Sequence, residues 1–304
     1  MPAYGRADTL AESLESILGQ THPDFGLVIV DDDPASTSGA IVGRYAREDS
    51  RIHYERNATR LGMVKNWRRS FARACELYPR SDYFAWVSDH DFWHPLWLER
   101  LLLALEGKGD VVLAYPRTLK FHPKAGSRVT EPFDTAGVKD PIERVRRAAA
   151  GMFAGDMIYG LFRVEALERA GVFRPVLLPD RQVLAAVAAL GEFRQVPDVL
   201  WYRQAPQAFS VERQRASFFT GRVPLHAYLP YHLQHWGVTM WDYGIRGRGG
   251  AALDRAAGFR AAAAQLSSSL ARERHQREAA RLAASAALRE VQAPEDEPDG
   301  GDDR

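Results

Sequence analysis

The chain has a single cysteine, Cys75, so no internal disulfide can form, which suits a reducing compartment. Cys75 shares a helical stripe with Val64, Trp67, Phe71 and Tyr78 and reads as core. No uninterrupted apolar run reaches the length of a membrane span, and no signal peptide opens the chain. These absences lead to the expectation of a soluble or peripheral protein, cytoplasmic or at the inner face of the membrane. Charge of one sign is also lacking: 40 Lys and Arg oppose 39 Asp and Glu, a net charge of +1. With no compact basic run carrying interleaved aromatics, nucleic acid is not an expected partner. What is present is apolar material for a sizeable core. Hydrophobic residues fill 46% of 304 positions, a length that suits one large domain or about two smaller ones.

The chain is organised around Ser88-Asp89-His90-Asp91. The apolar run Tyr83 to Val87 leads into it and reads as a buried strand. Residues two apart on an extended chain point to the same side, so Asp89 and Asp91 can converge. Two convergent carboxylates at a strand end suit a hard divalent cation carrying phosphate oxygens. Open α/β sheets also place ligands at the carboxyl ends of their strands. The bland alternative is an acidic turn capping a helix.

Around this centre, strands and helices alternate. Asp8 is a candidate N-cap for a helix with Leu10, Leu14, Ile17 and Leu18 at helical spacing, ended by Gly19. Leu27 to Val30 is a short buried strand running into Asp31-Asp32-Asp33, a second acidic strand end, with Ser36, Thr37 and Ser38 able to cap the next helix. A helix is expected over 41–47, a strand over 51–56 and an amphipathic helix over 64–78. Lys65 lies in the first turn of that last helix, a place that can meet a phosphate but more often leaves a lysine solvated. The alternation predicts an α/β fold built on a parallel sheet.

Pro2 to Ala7, Ser16 to Thr21, Val30-Asp31-Asp32, Asp49 to Ile52, Arg56-Asn57, Leu61-Gly62, Asn66 and Ser88 to Asp91 resemble the motifs of family 2 glycosyltransferases, in order and at similar spacing. The resemblance is strong to about residue 115 and looser to about 205. It implies the GT-A fold, a mostly parallel, Rossmann-like sheet flanked by helices. It also implies a nucleotide-sugar donor held through a divalent metal, Mn²⁺ or Mg²⁺. Carried across residue by residue, Pro2 and Tyr4 lie against the donor nucleotide, Asp32 hydrogen-bonds its base, and Asp89 lies near ribose and metal. Asp91 coordinates the metal in this DXD motif. Two departures stand out. Asp33 occupies the place of a usual glycine, and the apolar strand that normally precedes Pro-x-Tyr is missing, so a start upstream of Met1 or a truncated chain is expected.

In the second half, a helix is expected from Pro95 to about Glu106, strands over 110–115 and 117–122, a mobile loop over 121–140 and a basic helix over 142–150. Ile158 to Arg163 reads as a strand and 164–170 as a helix. Asp180 precedes an apolar helix over 182–190, where an acid ordinarily serves as an N-cap. The family resemblance implies a general base there, reduced here from a Glu-Asp pair to Pro179-Asp180, with Asp156 in reserve. Arg203, ending a last strand over 199–204, matches the family's Tyr-Arg ending; it either reaches the diphosphate or is a surface or structural arginine. His226, His232 and His235 are equivalent candidates for a third metal ligand. The aromatics of 215–245 either cover the acceptor, touch a membrane or pack on the domain, and packing is favoured.

The expectation is thus a GT-A domain over 1–210, a helical C-terminal extension over 211–291 and a disordered acidic tail over 292–304. The activity implied is metal-dependent, inverting transfer from a nucleotide sugar, with a UDP-sugar favoured, to a hydroxyl on a polysaccharide, glycolipid or metabolite. Peripheral membrane contact and homo-oligomer formation through the Ala- and Arg-rich helix of 251–291 are both compatible with it. The rival readings are a non-catalytic scaffold of the same fold and a nucleotidyltransferase.

Overall fold

A computed structural model describes residues 1–35, 37–122, 126–152, 154–204 and 210–292. Ser36 and the acidic tail from residue 293 lie outside the described residues. In chain order the elements begin with β1 (Pro2–Ala3), α1 (Ala7–Leu18), β2 (Leu27–Asp31), α2 (Ser38–Tyr45), β3 (Ile52–Arg56) and α3 (Met63–Leu77). There follow β4 (Tyr83–Phe84), β5 (Phe92–Trp93), α4 (Trp97–Leu105), β6 (Val111–His122), β7 (Gly126–Val129), α5 (Pro141–Gly151) and α6 (Ala154–Met157). The remainder is β8 (Leu161–Arg163), α7 (Val164–Ala170), α8 (Pro179–Leu190), β9 (Glu192–Gln204), α9 (Val211–Phe218), α10 (Tyr231–Thr239) and α11 (Arg255–Gln292).

Helix α1 buries Leu10, Leu14 and Ile17, four and three residues apart, against the sheet. Asp8 lies inside its first turn and Arg6 holds the cap position, so Asp8 serves the helix dipole rather than the cap. In β2 all five residues are buried, as expected for a strand covered on both faces. β1 and β3 flank β2, both parallel to it. Pro2 and Ala3 therefore extend this sheet through pairing with Val30 and Asp31. The second sheet runs β4-β8-β6-β9-β5, with β7 folded back onto β6. Its β6–β9 pair is parallel and its other pairs are antiparallel. The hairpin of β6 and β7 occupies part of what was expected as a mobile loop. β6 itself joins the two strands expected over 110–122, with register shifts near Pro116, which has no N–H to give to a ladder.

The sheet predicted as continuous is thus two. Of the run Tyr83 to Val87, only Tyr83 and Phe84 pair, with β8. A cavity of about 490 Å³ lies between this run and β2, lined by Met1, Leu27, Val28, Tyr83, Ala85 and Val87 among others. Periodicity identifies strands but not their neighbours, and this division had no signal in the pattern.

Two apolar clusters fill the interior. One gathers α1, β2, α4 and β9 through Leu10, Leu14, Ile29, Leu101 and Trp201. The other surrounds fully buried Trp86 with the rings of Trp67, Phe84, Phe162 and Phe173, at centroid distances of 4.8 to 5.9 Å. Cys75 is partly buried at the edge of this second cluster, and burial pushes its thiol pKa up, as expected for an inert core thiol. Helix α11 packs on α5 and α10 through a small-residue stripe, Ala257, Ala261, Ala264, Gln265 and Ser268. The amphipathic signal was weak because these contacts are made by alanine and serine. Among the described residues no helix is long and apolar enough to cross a membrane.

Candidate functional site

Asp89 and Asp91 lie between β4 and β5, buried, with 6% and 1% of their surface exposed. Burying carboxylates is costly unless hydrogen bonds compensate. Helix α1 supplies the frame: Thr9 Oγ1 donates to the Asp89 carbonyl at 3.0 Å and Ser13 Oγ to the Asp91 carbonyl at 2.9 Å. Ser88 Oγ donates to Asp91 Oδ2 at 2.6 Å. The Tyr4 N–H donates to Asp89 Oδ2 at 3.1 Å, and His90 Nδ1 lies 2.7 Å from Asp89 Oδ1. Alternating serine, threonine and acid positions in the first 20 residues gave no warning of this frame, since hydroxyls on a helix are ordinarily solvated.

At the end of β2, Asp32 is buried and accepts three hydrogen bonds. Asn57 Nδ2 reaches its Oδ1 at 2.9 Å, the Leu61 N–H the same oxygen at 2.7 Å, and the Gly62 N–H its Oδ2 at 2.8 Å. The residue placed against the base from sequence thus ties down the loop of 57–62. Gly62 caps α3 with φ +85°, and an added Cβ would meet the Phe218 carbonyl at 3.0 Å, so only glycine fits. The N–H groups preceding α3 go to Asp32, and Lys65 is exposed on the first turn beside them. Tyr4 is half exposed, with the Arg60 guanidinium 4.6 Å from its ring centre. Motif reading did not reach Arg60, which this contact brings to the candidate site. Pro2 is buried in β1, behind Tyr4.

Asp180 stands in the first turn of α8. Part of its surface reaches solvent, yet dense packing dominates: burial pushes its carboxyl pKa above the ordinary value, against the pull of Arg181, of main-chain N–H groups and of Arg203. Arg203 projects from β9 and donates to Asp156 Oδ1 at 3.1 Å and the Gly155 carbonyl at 2.8 Å. Lys120 pairs with Asp156 Oδ2 at 2.6 Å. Asp156, the reserve base, is therefore a buried counter-ion between two cations, poorly placed to take a proton. Tyr159 ties these groups together. Burial pushes its phenol pKa up, Arg203 pulls it down, and Asp91, Asp89 and Asp180 each push it up. The charges of three carboxylates and a guanidinium from separated segments thus all act on one partly buried tyrosine. No motif marks Tyr159.

The donor set fits a hard divalent cation in part. Asp89 and Asp91 offer carboxylate oxygens on the segment between β4 and β5, and such ions are commonly held by one or two carboxylates with phosphate and water completing the shell. Among the described residues no group of three or more His, Cys, Asp or Glu forms a metal site by itself. The histidines considered as third ligands are engaged elsewhere. His226 bonds the Pro175 carbonyl, His232 lies 3.5 Å from Glu273, and His235 bonds the Leu177 carbonyl.

Comparison with known proteins follows from this geometry. The model of the family described as "Glycosyl transferase family 2" matches residues 1–168. Two curated relatives from Bacillus subtilis (strain 168) align with part of the chain. Protein CgeD is 25% identical over 126 residues, 40% of this chain and 29% of that protein. TuaG, whose name assigns it to teichuronic acid biosynthesis as a glycosyltransferase, is 28% identical over 101 residues, 33% of this chain and 38% of its own. The chain therefore spans well under half the length of either relative. Among solved structures, mannosyltransferase PcManGT from Pyrobaculum calidifontis, in complex with GDP-Man and Mn²⁺, matches with a TM-score of 0.52 at 18% identity, covering 94% of this chain and 78% of that one. S. aureus TarS 1-349 in complex with UDP matches with a TM-score of 0.51 at 14% identity, covering 91% and 90%. At such identities the likeness concerns the fold.

Proposed function

The chain belongs to glycosyl transferase family 2, and we propose that it moves a sugar from a UDP- or GDP-sugar to an acceptor hydroxyl, with inversion at the anomeric carbon. The observation that carries this reading is the pair of buried carboxylates Asp89 and Asp91, on a segment framed by Thr9 and Ser13 of α1 and by the Tyr4 N–H. The charges of Asp180 and Arg203, far away in sequence, act on the same tyrosine, Tyr159, as those of the two acids.

In this reading Tyr4 and Arg60 form a platform for the base, above Pro2, and Asp32 holds the loop of 57–62 that edges it. Lys65 stands at the rim, where an exposed cation attracts the incoming diphosphate. Asp89 and Asp91 hold a Mn²⁺ or Mg²⁺ ion, which when bound supplies positive charge to the nucleoside diphosphate leaving group. Asp180 accepts the acceptor's hydroxyl proton as that oxygen attacks the anomeric carbon. The bond to the diphosphate breaks, and its electron pair leaves with the nucleotide. A carboxylate pushed up by packing is a better base than an exposed one. Arg203, anchored by Asp156, contributes fixed positive charge beside the reacting groups. The acceptor is a hydroxyl of a polysaccharide, a glycolipid or a small metabolite.

Calorimetry of UDP and GDP binding, with and without Mn²⁺, tests the donor site on wild type and Asp91→Asn. Mn²⁺-dependent binding of one nucleotide, lost in the variant, is expected. Failure of the folded protein to bind either nucleotide overturns the reading.

A further inference from the structure

We propose that Gln214, Gln234 and His235 of the C-terminal extension are positioning residues that set the turn carrying Asp180. The proposal rests on the reading of Asp180 as the base. The turn is unusual in itself. Leu178 caps α8 in the left-handed region, φ +50° and ψ +53°, with no side-chain hydrogen bond from the cap. A leucine there costs roughly 1–2 kcal/mol, so neighbouring structure must hold it in place.

The neighbours that do so all come from beyond residue 210. The Leu177 N–H donates to Gln234 Oε1 at 3.0 Å, and the Leu177 carbonyl accepts from His235 Nε2 at 2.7 Å. Both polar groups of one main-chain residue are thus taken by adjacent side chains of α10. The Leu178 N–H donates to Gln214 Oε1 of α9 at 3.2 Å. Gln234 and His235 are buried, and Gln234 Nε2 donates to the Leu229 carbonyl at 2.7 Å, which fixes its orientation. Upstream, His226 Nε2 donates to the Pro175 carbonyl at 2.8 Å, and Arg174 pairs with Asp242 at 2.6 Å. Segment 174–178 is held from one side by the extension, and Asp180 follows two residues later.

None of these partners falls within the residues matched by the family model. The extension therefore acts as a jig for the base. Its contribution belongs in turnover rather than in donor affinity, because displacement of a reacting group by about 1 Å can cost 10²-fold in rate.

Gln214 is only partly buried, so Gln214→Ala is expected to fold. Hydrogen exchange over 174–181 should accelerate at least tenfold in Gln214→Ala and His235→Leu. Release of nucleoside diphosphate from the UDP- or GDP-sugar selected by calorimetry should show kcat lowered about tenfold or more, with donor KM and nucleotide affinity unchanged. Gln214→Glu, which keeps the acceptor, and His235→Gln, which keeps a donor, should restore both readouts. Unchanged exchange in this segment overturns the proposal, as does accelerated exchange with full kcat. Asp180→Asn separates the two ideas. If it retains wild-type turnover, the base reading fails and the positioning role with it. If it is inactive while Gln214→Ala turns over fully, only the positioning role fails.

Discussion

Tyr4 and Asp89 are joined by a hydrogen bond of 3.1 Å from main-chain N–H to carboxylate, across 85 positions of sequence. The bond ties the segment that begins the first sheet to the acid that lies beside the second. The aromatic platform and a carboxylate of the proposed donor site are thereby fixed relative to each other. Replacing Asp89 removes more than a charge. Asp89→Ala should lower nucleotide affinity by weakening the hold on Tyr4 as well, whereas Asp89→Asn keeps an acceptor for the Tyr4 N–H and should bind nucleotide better than Asp89→Ala in the absence of metal. Calorimetry with and without Mn²⁺ checks the order.

Ser13 is fully buried and donates to the Asp91 carbonyl. Ser13→Ala leaves that carbonyl without its α1 donor, at a cost of about 1–3 kcal/mol. Urea denaturation should show the loss, and metal-dependent nucleotide binding should weaken in step, because Asp91 is set by the same bond.

Trp86 has no exposed surface, and its Nε1 donates to the Trp67 carbonyl at 3.2 Å. Trp86→Ala should destabilise the fold by about 3–5 kcal/mol. Trp86→Phe should recover much of that, losing chiefly the hydrogen bond and some volume. Thermal unfolding of the two variants distinguishes lost packing from the lost bond.

Burial pulls the His235 pKa down from 6.5 to about 4, with the Leu177 carbonyl opposing and the Arg181 and His232 charges reinforcing the shift. A histidine depressed on folding is protonated more readily in the unfolded chain. Its contribution is therefore complete above about pH 6.5 and falls as pH drops toward 4, by roughly 3 kcal/mol. Stability measured across that window should slope less steeply in His235→Gln than in wild type.

The sequence made the acids visible because strand ends carrying Asp-x-Asp are local patterns, and α1, α3 and α7 were readable from their 3.6-residue stripes. Three kinds of feature were not local. Asp32 was recognisable as an acid at a strand end, but its bonds to Leu61 and Gly62 depend on a loop that returns from 30 residues away. Tyr159 carries no pattern at all, and its electrostatic setting comes from charges on segments far apart in sequence. The extension looked like generic helix because its service to Leu177 and Leu178 is done by ordinary glutamines and one histidine, whose partners are main-chain atoms. A side chain that recognises backbone leaves no complementary residue type in the sequence.

The cavity between β2 and the run from Tyr83 to Val87 has a mechanical consequence. Among the described residues no strand ladder crosses it, so the two sheets are coupled by side chains, by helix α1 and by bonds such as that of Tyr4 to Asp89. A continuous sheet resists shear through every rung of its ladder. A split one concentrates shear at its few crossing bonds, and here those bonds run through the proposed donor site. Small displacements of one sheet against the other are thus felt first where Tyr4 and helix α1, through Thr9 and Ser13, meet the segment carrying Asp89 and Asp91.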